Sequence, residues 1–115
     1  MKLTYSALLG AALSLLSCTK KDAKPAIHIA VTMRQFAIEP AVIHLKRGEN
    51  VLLDVSTPDV QHGFQVAELG INEPVRPRNP AQIPVNTSKK GEFNVGCSII
   101  CGPGHDKMSA KIIIE

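Results

Sequence analysis

Near the C-terminus, twelve residues gather four soft donors into one short run: Cys97, Cys101, His105 and Met108, at offsets 0, 4, 8 and 11. Two thiolates, an imidazole and a thioether favour copper, zinc or iron–sulfur chemistry over magnesium or calcium, which take oxygen ligands. Gly102, Pro103 and Gly104 lie between the donors. They interrupt any regular strand or helix, so the donors are expected on a turning loop that bends them toward one point. Two cysteines four apart in an exported chain also fit a plain disulfide, which oxidising compartments favour. That alternative has no use for His105 or Met108 in fixed register.

Three further histidines lie outside this run. His28 and His44 fall on strand-like stretches and read as solvated or edge residues. His62 stands in Thr57-Pro58-Asp59-Val60-Gln61-His62-Gly63-Phe64, at the mouth of a turn between two strands. Gly63 beside it permits close backbone approach. A ligand remote in sequence, on a rigid strand end, is what a metal loop needs to complete its site. An incidental strand-end histidine is the plainer alternative. No acid–base pair or nucleophile constellation accompanies these residues, so the chain is not read as an enzyme on its own.

The frame that must position them is small. A chain of 115 residues, 44% hydrophobic and 20% charged, fits one globular domain. Aromatics make up 3% and tryptophan is absent, so the expected core is aliphatic, with Phe36, Phe64 and Phe93 added. After Pro25 the apolar pattern has period two, the signature of strands. Candidate strands cover 26–31, 41–45, 51–56, 64–67, 81–85, 91–95 and 109–114. Turn signals separate them at Glu39-Pro40, Lys46-Arg47-Gly48-Glu49, Pro58-Asp59 and Lys89-Lys90-Gly91. No long segment has a 3.6-residue period. The fold class is therefore all-β, an antiparallel sandwich or barrel. The formal charge of +3 is scattered without a basic run, which argues against a nucleic-acid surface. It leaves room for a weak electrostatic encounter with a partner.

At the other end, Lys2 precedes an uncharged Leu/Ala-rich run from Leu3 to Leu16. A membrane-spanning helix needs about 20 apolar residues, so this run reads instead as the hydrophobic part of a secretory signal peptide. It ends in Leu15-Leu16-Ser17-Cys18, which resembles the lipobox of bacterial lipoproteins. On that reading residues 1–17 are the signal, Cys18 is the lipidated first residue, 18–25 form a tether and 26–115 the folded domain. Lipidation also accounts for the odd cysteine. An ordinary signal peptide with an incidental cysteine is the alternative. Thr19 stands where an aspartate commonly retains lipoproteins at the inner membrane.

Taken together, Asp59-Val60-x-His62-x-Phe64 and Cys97-Ser-x-x-x-Cys101-Gly-x-x-His105-x-x-Met108 resemble the CuA domain of cytochrome c oxidase subunit II. The similar domain of nitrous-oxide reductase shares this ligand pattern. The resemblance runs from Phe36-Ala-Ile-Glu-Pro40 through Lys46-Arg47-Gly48-Glu49 to the C-terminus. It implies a cupredoxin-like Greek-key β-sandwich holding two coppers. Cys97 and Cys101 would bridge both ions, and His62 and His105 would each bind one. Met108 and the backbone carbonyl of Ile99 would be weak ligands. A single-copper blue site needs only one cysteine, so the second thiol points the same way.

The implied role is one-electron transfer from a c-type cytochrome or similar donor to a haem-copper oxidase or other respiratory acceptor. Three features depart from the family. Ile99 stands where a glutamate or glutamine often reaches toward the catalytic subunit, and on a free module its side chain is expected as an exposed apolar patch. The aromatic electron-entry patch is missing, because the one tyrosine, Tyr5, falls in the signal. The usual transmembrane anchor is not apparent. A lipid-anchored carrier facing the periplasm or cell exterior is the favoured expectation. A terminal-oxidase subunit and a copper-delivery protein remain as alternatives.

The lipobox reading predicts a diacylglycerol adduct on Cys18 when the membrane-extracted protein is weighed by mass spectrometry. Cys18→Ser is expected to accumulate as precursor or soluble protein, and an unmodified Cys18 in the mature chain would contradict the reading.

Overall fold

The computed structural model describes residues 25–115, so the signal, Cys18 and nearly all of the tether lie outside the described residues. Among the described residues nine strands follow one another: β1 (Ile27–Arg34), β2 (Ala37–Glu39), β3 (Val42–Leu45), β4 (Val51–Ser56), β5 (His62–Val66), β6 (Ile71–Val75), β7 (Ala81–Val85), β8 (Gly91–Cys97) and β9 (Ser109–Ile114). Two single 3-10 turns, Ala67–Leu69 and His105–Lys107, are the helical elements among the described residues. Neither is long and apolar enough to cross a membrane.

The strands form two sheets, ordered β2-β1-β4-β7 and β3-β9-β8-β5-β6. Most neighbours are antiparallel, as the short strands and tight turns lead one to expect. The pairs β1–β4 and β3–β9, however, run parallel. The expected all-β sandwich is present, with these two parallel pairs as the departure from an antiparallel arrangement. Between β1 and β4 the chain visits the opposite sheet at β3 and returns, and such a crossover brings a strand back in its original direction.

Alternation fixes which face of each strand enters the core. In β4, Val51, Leu53 and Val55 are buried and Leu52 and Asp54 are only half so. In β9, Ala110, Ile112 and Ile114 point inward while Ser109 and Lys111 face solvent. Val31 and Met33 of β1, Phe64 and Val66 of β5, and Phe93 and Val95 of β8 complete the contact between the sheets. Slipping any of these strands by one residue would turn its apolar set outward, which is why the register holds.

The boundaries of β7 and β9 agree with the apolar pattern, while β5 starts two residues earlier and β8 runs two residues further than expected. Those extensions bring His62 and Cys97 onto strands. Two strands escape sequence reading. The three residues of β2 are too few to show a period, and the Asn72-Glu73-Pro74 of β6 imitates a turn. Pro74 is tolerated because β6 is the edge of its sheet, where a missing N–H breaks no ladder. Phe36 is a further correction. It is not a core residue but 39% exposed, at the turn between β1 and β2.

Candidate metal centre

Pairing of β5 with β8 brings the distant histidine to the cysteines. Phe64 faces Cys97 across the ladder, so the chain leaving β8 passes directly alongside Gly63. The Ser98 N–H donates to the Gly63 carbonyl at 2.9 Å, and the Gly63 N–H lies 3.5 Å from Cys97 Sγ. A Cβ on residue 63 would stand 2.1 Å from Ser98 Oγ and 3.2 Å from the Ile99 backbone nitrogen. Only glycine lets the loop come this close.

Both cysteines are free thiols. Each is flanked by one imidazole and one weaker donor. Cys97 Sγ lies 3.8 Å from His62 Nδ1 and 3.1 Å from the Ile99 carbonyl oxygen. Cys101 Sγ lies 3.8 Å from His105 Nδ1 and 3.4 Å from Met108 Sδ. The donor atoms of His62, Cys97 and Cys101 all fall within 4.8 Å of one another. The other three proposed donors join this group through the thiols, the Ile99 carbonyl at Cys97 and His105 and Met108 at Cys101. His28 and His44 do not. His28 is exposed beside Asp54 at 2.9 Å, and His44 is exposed 3.9 Å from Glu115.

The loop reaches this arrangement through a short turn. The N–H of His105 donates to Gly102, that of Lys107 to Gly104 and that of Met108 to His105, at 3.1, 3.1 and 3.3 Å. The turn sends His105 back over Cys101 and leaves Met108 buried as the chain enters β9. Ile99 differs from expectation. Its side chain is half-buried and lies against Gly63, while its neighbour Ile100 is 85% exposed.

The His62 ring is fully buried and needs a partner for each nitrogen. Nε2 meets Asp59 Oδ1 at 2.9 Å. Burial alone would raise the Asp59 carboxyl. Hydrogen bonds from the Gln35 N–H, His62, the Val60 N–H and Thr57 outweigh it and hold the group well below the usual carboxylate range. The partner is thus a carboxylate, which sets the proton of a neutral ring on Nε2 and leaves the Nδ1 lone pair facing Cys97. Burial pushes the Cys101 thiol up from its ordinary value, and Cys97 beside it pushes it further. A metal binding here must therefore displace protons from sulfur.

Sequence reading missed Gln35 and assigned Asp59 no role. Gln35 lies on the β1–β2 turn, yet its side-chain amide donates to the Cys101 carbonyl at 2.5 Å and its backbone N–H to Asp59 Oδ2 at 2.7 Å. A partner 66 positions away leaves no trace in local pattern. As a set, two free thiols, two imidazoles and a thioether fit a soft ion such as copper and suit oxygen-seeking ions poorly.

The sequence pattern of the cupredoxin-like domain family matches residues 6–114. Two proteins named cytochrome c oxidase subunit 2, both from Thermus thermophilus, are 30% identical over 80 residues, which is 70% of this chain. The matched part is 59% of one relative and 48% of the other, so the chain spans about half their length. The crystal structure of the periplasmic domain of cytochrome oxidase subunit II from Bradyrhizobium japonicum superposes with a TM-score of 0.72 at 18% identity, covering 81% of this chain and 86% of that one.

The close approach at Gly63 makes a prediction for the metal-free protein. Gly63→Ala displaces the Ser98 hydroxyl from Asn72 and crowds the Ile99 backbone, and is expected to lower unfolding stability by about 1–3 kcal/mol, the scale of overpacking. Denaturant titration checks it, and an unchanged midpoint would contradict the contact.

Proposed function

Because this chain belongs to the cupredoxin-like family, we propose that it is an exported one-electron transfer protein with a binuclear, CuA-type copper centre. The observation that carries the reading is the paired donor set, in which each free thiol has its own imidazole and its own weak donor. One copper ion would leave half of this set unused.

In this reading Cys97, Cys101, His62 and His105 would hold the two ions, and Met108 and the Ile99 carbonyl would be weak ligands. The bound pair supplies uptake and release of a single electron, shared through the thiolates. What the protein supplies is constancy. The ligands sit on the ends of β5 and β8 and on a loop braced against Gly63, so they keep their positions as charge changes. Asp59 holds the His62 ring, and burial of His62 and Met108 keeps water from that side.

Electron exchange also needs brief docking. Among the described residues, Ile100, Phe36 and Val60 are exposed large apolar side chains on or against the segments that carry the ligands. So small an apolar surface suits transient encounter with a c-type cytochrome or similar donor and a respiratory acceptor. The periplasmic domain of the Bradyrhizobium subunit supports placing this domain outside the cytoplasm. The lipid on Cys18 would then be its membrane anchor, with 18–25 as tether.

A second reading makes the chain a component of a cytochrome c oxidase, favoured by the names of its relatives. Ile99 favours the free carrier, because its side chain can form no polar bridge to another subunit.

Metal analysis separates the thiols from the thioether donor. Cys97→Ser is expected to hold at most one copper per chain. Met108→Leu should keep two, with an altered reduction potential, since a thioether is a weak ligand. Two coppers with an unchanged spectrum in Cys97→Ser would overturn the binuclear reading.

A further inference from the structure

All six proposed ligands lie on strands of the β3-β9-β8-β5-β6 sheet or on the loop that joins β8 to β9. The opposite sheet supplies none. It nonetheless reaches the site, through the turn between β1 and β2. Three contacts leave this turn. The Gln35 backbone N–H donates to Asp59 Oδ2 at 2.7 Å, and Asp59 Oδ1 meets His62 Nε2 at 2.9 Å. The Gln35 side-chain amide donates to the Cys101 carbonyl at 2.5 Å. The Phe36 ring lies across Gly102 and Gly104, where added Cβ atoms would come within 2.9 and 2.6 Å of it.

These contacts join two segments that are far apart in sequence. Asp59 belongs to the approach to His62, and Cys101 to Gly104 form the middle of the thiolate loop. We propose that Gln35 is a positioning residue, and that the β1–β2 turn clasps the two ligand segments in their working arrangement before metal enters. The backbone N–H of Gln35 fixes Asp59 and through it the His62 ring. The side-chain amide fixes the peptide of Cys101, which limits where its sulfur can point. Phe36 closes the glycine-rich part of the loop from outside, which takes over a role that side chains on Gly102 and Gly104 would otherwise fill. Each held group then keeps less freedom to lose when copper binds, so the clasp favours tight, rapid loading and a constant geometry.

The inference rests on the copper reading for its purpose, but its test need not. Gln35→Met keeps the length of the side chain and the backbone N–H and removes only the amide donor. In metal-free protein, hydrogen exchange of the segment carrying the Ser98 and His105 amides is expected to quicken about fivefold, on the scale of one lost hydrogen bond. The strands β4 and β9 should exchange as before. In copper-loaded protein, the same variant should bind the same number of ions yet show shifted thiolate-to-copper absorption bands and a several-fold faster loss of copper to a Cu(I) chelator. Merely structural packing would leave those bands in place. Phe36→Leu, which keeps both hydrogen bonds, should move them less.

If the unaltered protein binds fewer than two coppers, the binuclear reading fails, and the exchange of the metal-free Gln35→Met variant still decides the clasp. Unchanged exchange at Ser98 and His105 overturns the proposal. So does a copper-loaded Gln35→Met protein with the absorption bands and release rate of the original.

Discussion

Two thiols must stand side by side without bonding to each other, and most of the site's architecture serves that requirement. Left on a free peptide, cysteines four apart would readily close a disulfide in an oxidising compartment. Here each sulfur is engaged separately, Cys97 by His62 and the Ile99 carbonyl, Cys101 by His105 and Met108. Under the binuclear reading, the near-symmetry of these surroundings would have a physical use. Two ions with closely similar ligands would have little reason to hold an electron unequally, and a shared electron would disturb each coordination sphere least.

That arrangement is possible because the sandwich separates two tasks. The inner faces of nine short strands exclude water with Val, Ile, Leu, Met and two phenylalanines, and the strand register is pinned by alternation. At one end of the sheet β5 and β8 extend beyond the pattern and present His62 and Cys97 on rigid backbone. The loop that follows has little regular structure, so it is held by close contact instead. Gly63 admits Ser98 and Ile99 on one side, and Gly102 and Gly104 admit Phe36 on the other. Gly63 and Gly104 thus serve contact distance, while Gly102, at φ +144°, serves the turn as well.

Much of this could be read in the sequence, and what could not has a common cause. Apolar patterning located seven of the nine strands among the described residues, and the offsets of Cys97, Cys101, His105 and Met108 located the site because those residues are close along the chain. His62 followed from the turn beside Gly63 and from the family resemblance. The missing elements depend on distant partners. The edge strand β6 carries turn-like residues, and β2 is too short for a period. Gln35 resembles any polar turn residue until its amide is seen against Cys101. Phe36 looks like core by type, yet its place is the surface of the loop. Ile99 and Ile100 are adjacent and alike, and only the packing against Gly63 tells which of them faces solvent.

The most direct test is the electron paramagnetic resonance spectrum of the copper-loaded, partly oxidised domain. The account predicts one unpaired electron with hyperfine coupling to two equivalent copper nuclei. Coupling to a single nucleus would mean a mononuclear site that uses half of the donor set. A fully loaded protein with no signal under oxidising conditions would mean Cu(I) storage. Either result would contradict a binuclear electron-transfer centre.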